Sequence, residues 1–228
     1  MRLARQLDAL EHDTLAELGI GAAGRIEVPL AVNADSLATW FLPALAPLVA
    51  DGVSVELHRD DQDYTAGLLE SGTVSAAVTS QARPVAGCSV RPLGSMRYLP
   101  VAAPALLERY ELNDDPQAFA TTPLVDYDRR DDLQNHFLDR HGIDHAAPPR
   151  NRVPSSHDFA RAVELGFGWG LVPEQQSQAK IADGILRLLP GAPVDVPLYW
   201  QRWKLHSPLL ERIETAVISA ARQQLQQP

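Results

Sequence analysis

Residues 28–43 read VPLAVNADSLATWFLP. The apolar run 28–32 has the length of a buried strand. From Leu37 onward apolar side chains recur at helical spacing, with Trp40, Phe41, Leu45 and Leu48 on the same side. Between the two stand Asn33, Asp35 and Ser36. A strand that runs through a polar turn into a helix is half of a β-α-β unit, and Ser36 is expected to cap that helix. Pro43 and Pro47 are expected to make its latter half irregular.

The same alternation continues on both sides. Strands are expected at 25–32, 53–58 and 74–78, with helices at 36–49 and 64–70. A second series follows, with strands at 96–102, 124–127, 152–154, 170–173 and 196–203. Its helices are expected at 104–110, 131–141, 156–166 and 208–224. Two such series predict an α/β protein of two Rossmann-like lobes with a central cleft. In open α/β sheets ligands sit beyond the carboxyl ends of the strands, near helix N-termini that favour anions. VPSSHDFARAV at 153–163 repeats the polar turn of the opening stretch, with Ser155 or Ser156 as the expected cap.

Composition narrows the function. The 228 residues carry a formal net charge of −9, which disfavours a DNA-gripping surface. No apolar run approaches the roughly 20 residues of a membrane helix. MRLARQLDALEHDTLAEL at 1–18 lacks the apolar centre of a signal peptide, so a cytoplasmic location is expected. Its leucines, Leu3, Leu7, Leu10, Leu15 and Leu18, form an amphipathic stripe. Cys88 is the only cysteine and reads as a packed thiol.

Chemistry-bearing motifs are few. GFGWG at 166–170 follows a helix and enters a strand, the reverse of a dinucleotide loop, and reads as a helix C-cap and tight turn. His136, His141 and His145 lie among Asp139 and Asp144 without a zinc-binding spacing. No nucleophile elbow or phosphate loop is present. No catalytic residue, metal or cofactor is therefore assigned. Acidic residues gather where strands end, at Asp60 and Asp61, Asp126 and Asp128, and Asp131 and Asp132. Such carboxylates suit an ammonium or guanidinium group, acid–base work, or plain turn formation.

GRIEVPLAVNADSLATWFLPAL, LLESGTVSAAV and SSHDFARAVELGFGWGLVP together resemble the effector-binding domain of LysR-type transcriptional regulators. DYDRRDDLQNHFL at 126–138 and LYWQRW at 198–203 are similar to the LysG/ArgP (IciA) branch of lysine and arginine export regulators. Ser75 departs from the family, which often has Asp there. The resemblance implies a fold like the type 2 periplasmic binding proteins. Residues 1–20 would end a dimerising linker helix. Residues 21–88 and 196–228 would form lobe I and 89–195 lobe II, with the winged helix-turn-helix outside this chain. The expected partners are a basic amino acid effector, a second copy in a homodimer or homotetramer, and DNA only through the helix-turn-helix. The implied effector residues are Asn33, Asp35, Ser36, Asp61, Gln62, Ser80, Asp128 and Asp132. A two-lobed cytoplasmic enzyme and a solute-binding protein for a small cationic metabolite are the alternatives.

Overall fold

The computed structural model describes residues 27–59, 65–112 and 116–227. The leucine-striped segment 2–18 and Asp60, Asp61 and Gln62 lie outside the described residues. The chain forms two compact units, one of Met1–Ser95 with Pro197–Pro228 and the other of Met96–Val196.

In unit 1, strand β1 (Glu27–Val32) leads into a long helix, α1 (34–50). Strand β2 (Ser54–Arg59), helix α2 (Thr65–Glu70) and strand β3 (Ala76–Thr79) follow. β1 pairs in parallel with both β2 and β3, in the registers Val32↔Arg59 and Ala31↔Ala77. Strand β9 (Val194–Trp203) joins β3 antiparallel, with Ala77↔Gln201, and borders strand β4 (Cys88–Ala102). Side-chain alternation gives the sheet two apolar faces. On one, Trp200 meets Phe41 of α1 at 6.5 Å between ring centroids. On the other, Ala31, Leu69, Val74, Ala77, Val85, Cys88 and Trp203 form a buried cluster. The lone cysteine is thus a core thiol. The C-terminal helix α7 (Pro208–Gln224) packs on α1 and starts at Ser207, whose hydroxyl accepts the Leu210 N–H.

Helix α1 departs from expectation in where it is irregular. Ala34–Ser36 are α-helical, Leu37–Phe41 form a π turn, and Leu42–Ala50 are α-helical again despite Pro47. The irregular part is therefore the first half. Pro43 supplies no N–H, and its ring crowds the carbonyl one turn back, so a widened turn just before it removes the clash.

In unit 2, β4 from Met96 onward pairs antiparallel with strand β7 (Gly170–Pro173) and strand β8 (Arg187–Leu188). Strands β5 (Leu124–Asp126) and β6 (Arg150–Arg152) form a separate parallel pair. The helices are α3 (Pro104–Tyr110), α4 (Leu133–Arg140), α5 (Ser156–Glu164) and α6 (Glu174–Ala182), with a 3-10 turn at Pro116–Ala120. Val101, Val125, Phe159, Val163, Val172 and Leu186 are the centre of its core. Phe119 meets both Phe137 and Trp169 edge to face, and Phe137 and Trp169 are tilted against each other.

The chain passes between units inside β4, at 95/96, and inside β9, at 196/197. The first passage lies beyond the 88/89 division read from the sequence. The segment between belongs to unit 1 because Ser95 exchanges both backbone hydrogen bonds with Gln226. Among the described residues no helix is long and apolar enough to cross a membrane.

Candidate functional site

The parallel strands β2, β1 and β3 end along one edge of the unit 1 sheet. Arg59 closes β2 opposite Val32, Asn33 follows β1, and Ser80 follows β3. This is the edge at which α/β sheets take ligands.

Asn33, not Ser36, occupies the N-cap of α1. Its backbone is extended at φ −70 and ψ 154, and its carbonyl accepts the first helical hydrogen bond, from Leu37 N–H at 3.0 Å. The N–H groups of Ala34, Asp35 and Ser36 precede that rung and have no acceptor within the helix. Ser36 sits inside the first turn and caps nothing. An Asn at a cap position ordinarily turns its side chain onto those N–H groups. Asn33 does not, and its Oδ1 is buried without a hydrogen-bond partner. Ser36 is fully buried, and its Oγ also has no partner. Asp35 is half-buried beside them, and its carbonyl accepts the Thr39 hydroxyl at 2.6 Å. Asn33 Oδ1, an acceptor, and Ser36 Oγ are thus two buried polar atoms without hydrogen-bond partners at the positive end of a helix.

The acidic candidates of unit 2 lie beyond the carboxyl end of β5. Asp128 is engaged within its own turn. Its Oδ1 accepts the N–H groups of Arg130 at 2.7 Å and Asp131 at 3.2 Å, and its Oδ2 accepts from the Arg130 guanidinium. Burial works against its charged form, yet these bonds outweigh burial and hold its pKa below the usual value. Asp132 is exposed and makes no cap bond, but accepts from Asn135 Nδ2 at 2.8 Å. Asp131 binds the N–H of Tyr127 and of Leu133, so it fastens both ends of the turn. Asp126 is almost wholly buried against Arg150. Desolvation raises its pKa more than Arg150 lowers it.

At the start of α5, Ser155 holds the cap position without a cap bond, and the buried Ser156 hydroxyl accepts from Gln176 Nε2 at 3.0 Å. Neither serine makes the side-chain cap the sequence suggests, because Ser156 is tied to α6 instead. The histidines are dispersed in role. His145 Nδ1 lies 3.0 Å from Asp139 Oδ1, and His141 Nδ1 bonds the Phe137 carbonyl. Among the described residues no group of three or more His, Cys, Asp or Glu is placed to hold a metal.

The model of the LysR substrate-binding domain matches residues 22–222 of this chain. The chain belongs to that family. Among curated relatives it is similar to the lysine export transcriptional regulatory protein LysG of Corynebacterium efficiens. The two are 43% identical over 97% of this chain and 77% of the relative. Among solved structures it is similar to ArgP from Mycobacterium tuberculosis, with a TM-score of 0.91 and 38% identity over 100% of this chain and 78% of that one. It is also similar to full-length LysG from Corynebacterium glutamicum with bound effector Arg, with a TM-score of 0.86 and 37% identity over 99% and 77%. The LysG/ArgP branch and the fold like type 2 periplasmic binding proteins follow from these likenesses. The relatives are transcriptional regulators, so the enzyme alternative falls away.

For a LysR-family domain, the structure brings Asn33, Asp35, Ser36 and Ser80 to one sheet edge, while Asp128 and Asp132 belong to unit 2. Sequence reasoning missed two buried glutamines. Gln134 donates to the Val125 carbonyl at 2.9 Å and keeps an Oε1 without a partner. Gln201 is the other. Glutamine is ordinarily a surface residue, so nothing in the sequence marks these as internal.

Proposed function

We propose that this chain is the effector-sensing regulatory domain of a LysR-type transcriptional regulator, that its effector is L-arginine or L-lysine, and that it controls transcription of a basic amino acid exporter gene. The observation that carries the ligand reading is the pair of buried, partnerless atoms Asn33 Oδ1 and Ser36 Oγ at the start of α1. An α-carboxylate there accepts from the N–H groups of Ala34–Ser36 and from the Ser36 hydroxyl. Asn33 Oδ1 and Asp35 are acceptors suited to the α-ammonium. Ser80 flanks the same edge. The cationic end of the side chain needs a carboxylate, for which Asp61, Asp128 and Asp132 are the candidates, with Gln62 beside the first. The arginine bound in the Corynebacterium glutamicum relative supports this choice of effector.

Effector binding favours one arrangement of the domain over another and so alters how an assembled regulator meets DNA. The assembly is a homodimer or homotetramer, located in the cytoplasm, with DNA contact made by a winged helix-turn-helix. Calorimetry of this chain with L-arginine and L-lysine tests the ligand reading. Saturable heat with at least one is expected, and its absence with both at millimolar concentration overturns the reading.

A further inference from the structure

LYWQRW at 198–203 places a glutamine, Gln201, in the middle of β9. Its side chain lies on the sheet face shared by Ala77 and Trp203, next to an otherwise apolar cluster, and it is fully buried. Burying an uncompensated amide costs about 1–3 kcal/mol, so its bonding deserves a full account. Gln201 Nε2 donates to the carbonyls of Gln81, at 2.9 Å, and Arg83, at 3.0 Å. Its Oε1 accepts the N–H of Val85 at 2.8 Å. Both amide hydrogens and the amide oxygen are therefore bound to alternate residues of one loop. That loop starts at Ser80, directly after β3, and the Gln81 N–H also bonds Thr79 Oγ1 at 3.2 Å.

We infer that Gln201 is a positioning residue for the effector site: it fixes the course of loop 80–85, and through it the place of Ser80 at the edge where Asn33 and Ser36 stand. The inference rests on the effector reading above. The loop has no regular backbone ladder of its own, and residues 81–84 are exposed, so packing alone does not set its path. The three bonds from Gln201 tie the loop to β9. An apolar side chain of similar shape suits the neighbouring core but removes all three of these bonds to the loop backbone. A carboxylate at this place keeps the bond to Val85 N–H and turns the other two into repulsion between acceptors.

The experiment titrates L-arginine and L-lysine into the wild-type chain and into Gln201→Met, Gln201→Glu and Ile213→Val. Ile213 is a buried residue of α7 and serves as a control for general destabilisation. Amide hydrogen exchange of the wild-type chain is followed with and without arginine. Both Gln201 variants are expected to bind roughly tenfold more weakly, the equivalent of one lost hydrogen bond to a charged ligand. Ile213→Val is expected to lower Tm with unchanged affinity. In the wild-type chain, arginine is expected to slow exchange at Gln81–Val85 more than in α7. Folded Gln201 variants with wild-type affinity overturn the inference alone. So does a wild-type loop whose exchange arginine leaves unchanged, whether or not the variants fold. A wild-type chain that takes up neither amino acid overturns the effector reading and this inference with it.

Discussion

Arg150 holds Asp126 through a single nitrogen that reaches both carboxylate oxygens, with Nη1 3.1 Å from Oδ1 and 2.9 Å from Oδ2. Its other nitrogen, Nη2, donates to Asn135 Oδ1 and to the His145 carbonyl. One guanidinium thus ties the end of β5 to α4 and to the loop that precedes β6. Removing one partner of such a buried pair leaves an uncompensated charge.

Arg150→Met is therefore expected to destabilise the chain by about 3–5 kcal/mol at neutral pH. Asp126 already has its folded pKa raised by burial, against the pull of Arg150. Without Arg150 it rises further. A raised folded pKa favours the protonated folded form, so stability is lost as pH rises through that pKa. The deficit of Arg150→Met is expected to shrink as pH falls from 7 towards 4, as measured by denaturant midpoints across that range.

Asp195 has the opposite sign. Hydrogen bonding to Arg97 lowers its folded pKa, so its contribution is present above the ordinary carboxylate pKa and lost as pH falls through the depressed value. Both side chains are over a third exposed, and exposed pairs contribute about 0–1 kcal/mol. Asp195→Asn is expected to cost little at pH 7 and to lessen the drop in Tm between pH 5 and pH 2.

Ser36→Ala separates binding from stability. The Ser36 hydroxyl has no protein partner, so its removal forfeits no internal hydrogen bond and relieves a buried polar group. The variant is expected to match or exceed the wild-type Tm without effector. Its Tm shift on adding L-arginine is expected to be smaller than that of the wild-type chain. A variant that melts well below wild type and keeps the full shift contradicts the assignment.

The glycines of GFGWG have different tasks. Gly166 has φ +78 and open space at its Cβ position, so Gly166→Ala is expected to cost about 1 kcal/mol from backbone strain alone. At Gly168 an added Cβ falls 2.7 Å from the Pro123 oxygen and the Leu124 carbonyl carbon. Backbone atoms cannot step aside as a flexible side chain does. Gly168→Ala is expected to cost about 3 kcal/mol, measured against Gly166→Ala by urea denaturation.

The fold was legible wherever apolar periodicity met turn chemistry. Gly170–Pro173 and Pro208–Gln224 have the bounds their patterns suggest. Where local pattern and tertiary pairing disagree, the sequence was mute. Cys88–Ser95 carries Pro92 and Gly94 and suggests no strand, yet it is the first half of β4, which borders β9 from the far end of the chain. Helix α6 is EQQSQAKIA, with Ser177 as its only buried residue, so it has no apolar stripe to see. The site was half legible. Its polar turn stood out, but Ser36 reads as the cap because Ser and Asn are near-equal caps, and only backbone geometry gives Asn33 that position. Gln201 was invisible, because its value lies in partners far removed along the chain.

The double passage of the chain between units has a consequence for synthesis. Unit 2 is one unbroken segment, whereas unit 1 needs Pro197 and the residues after it. On the ribosome, unit 2 has its whole sequence in hand while β3 still lacks β9, since Ala76 pairs with Arg202. Until those last residues emerge, β3 offers an unpaired apolar edge to any neighbouring strand. Premature termination at Pro197 therefore leaves a finished unit 2 and an aggregation-prone unit 1.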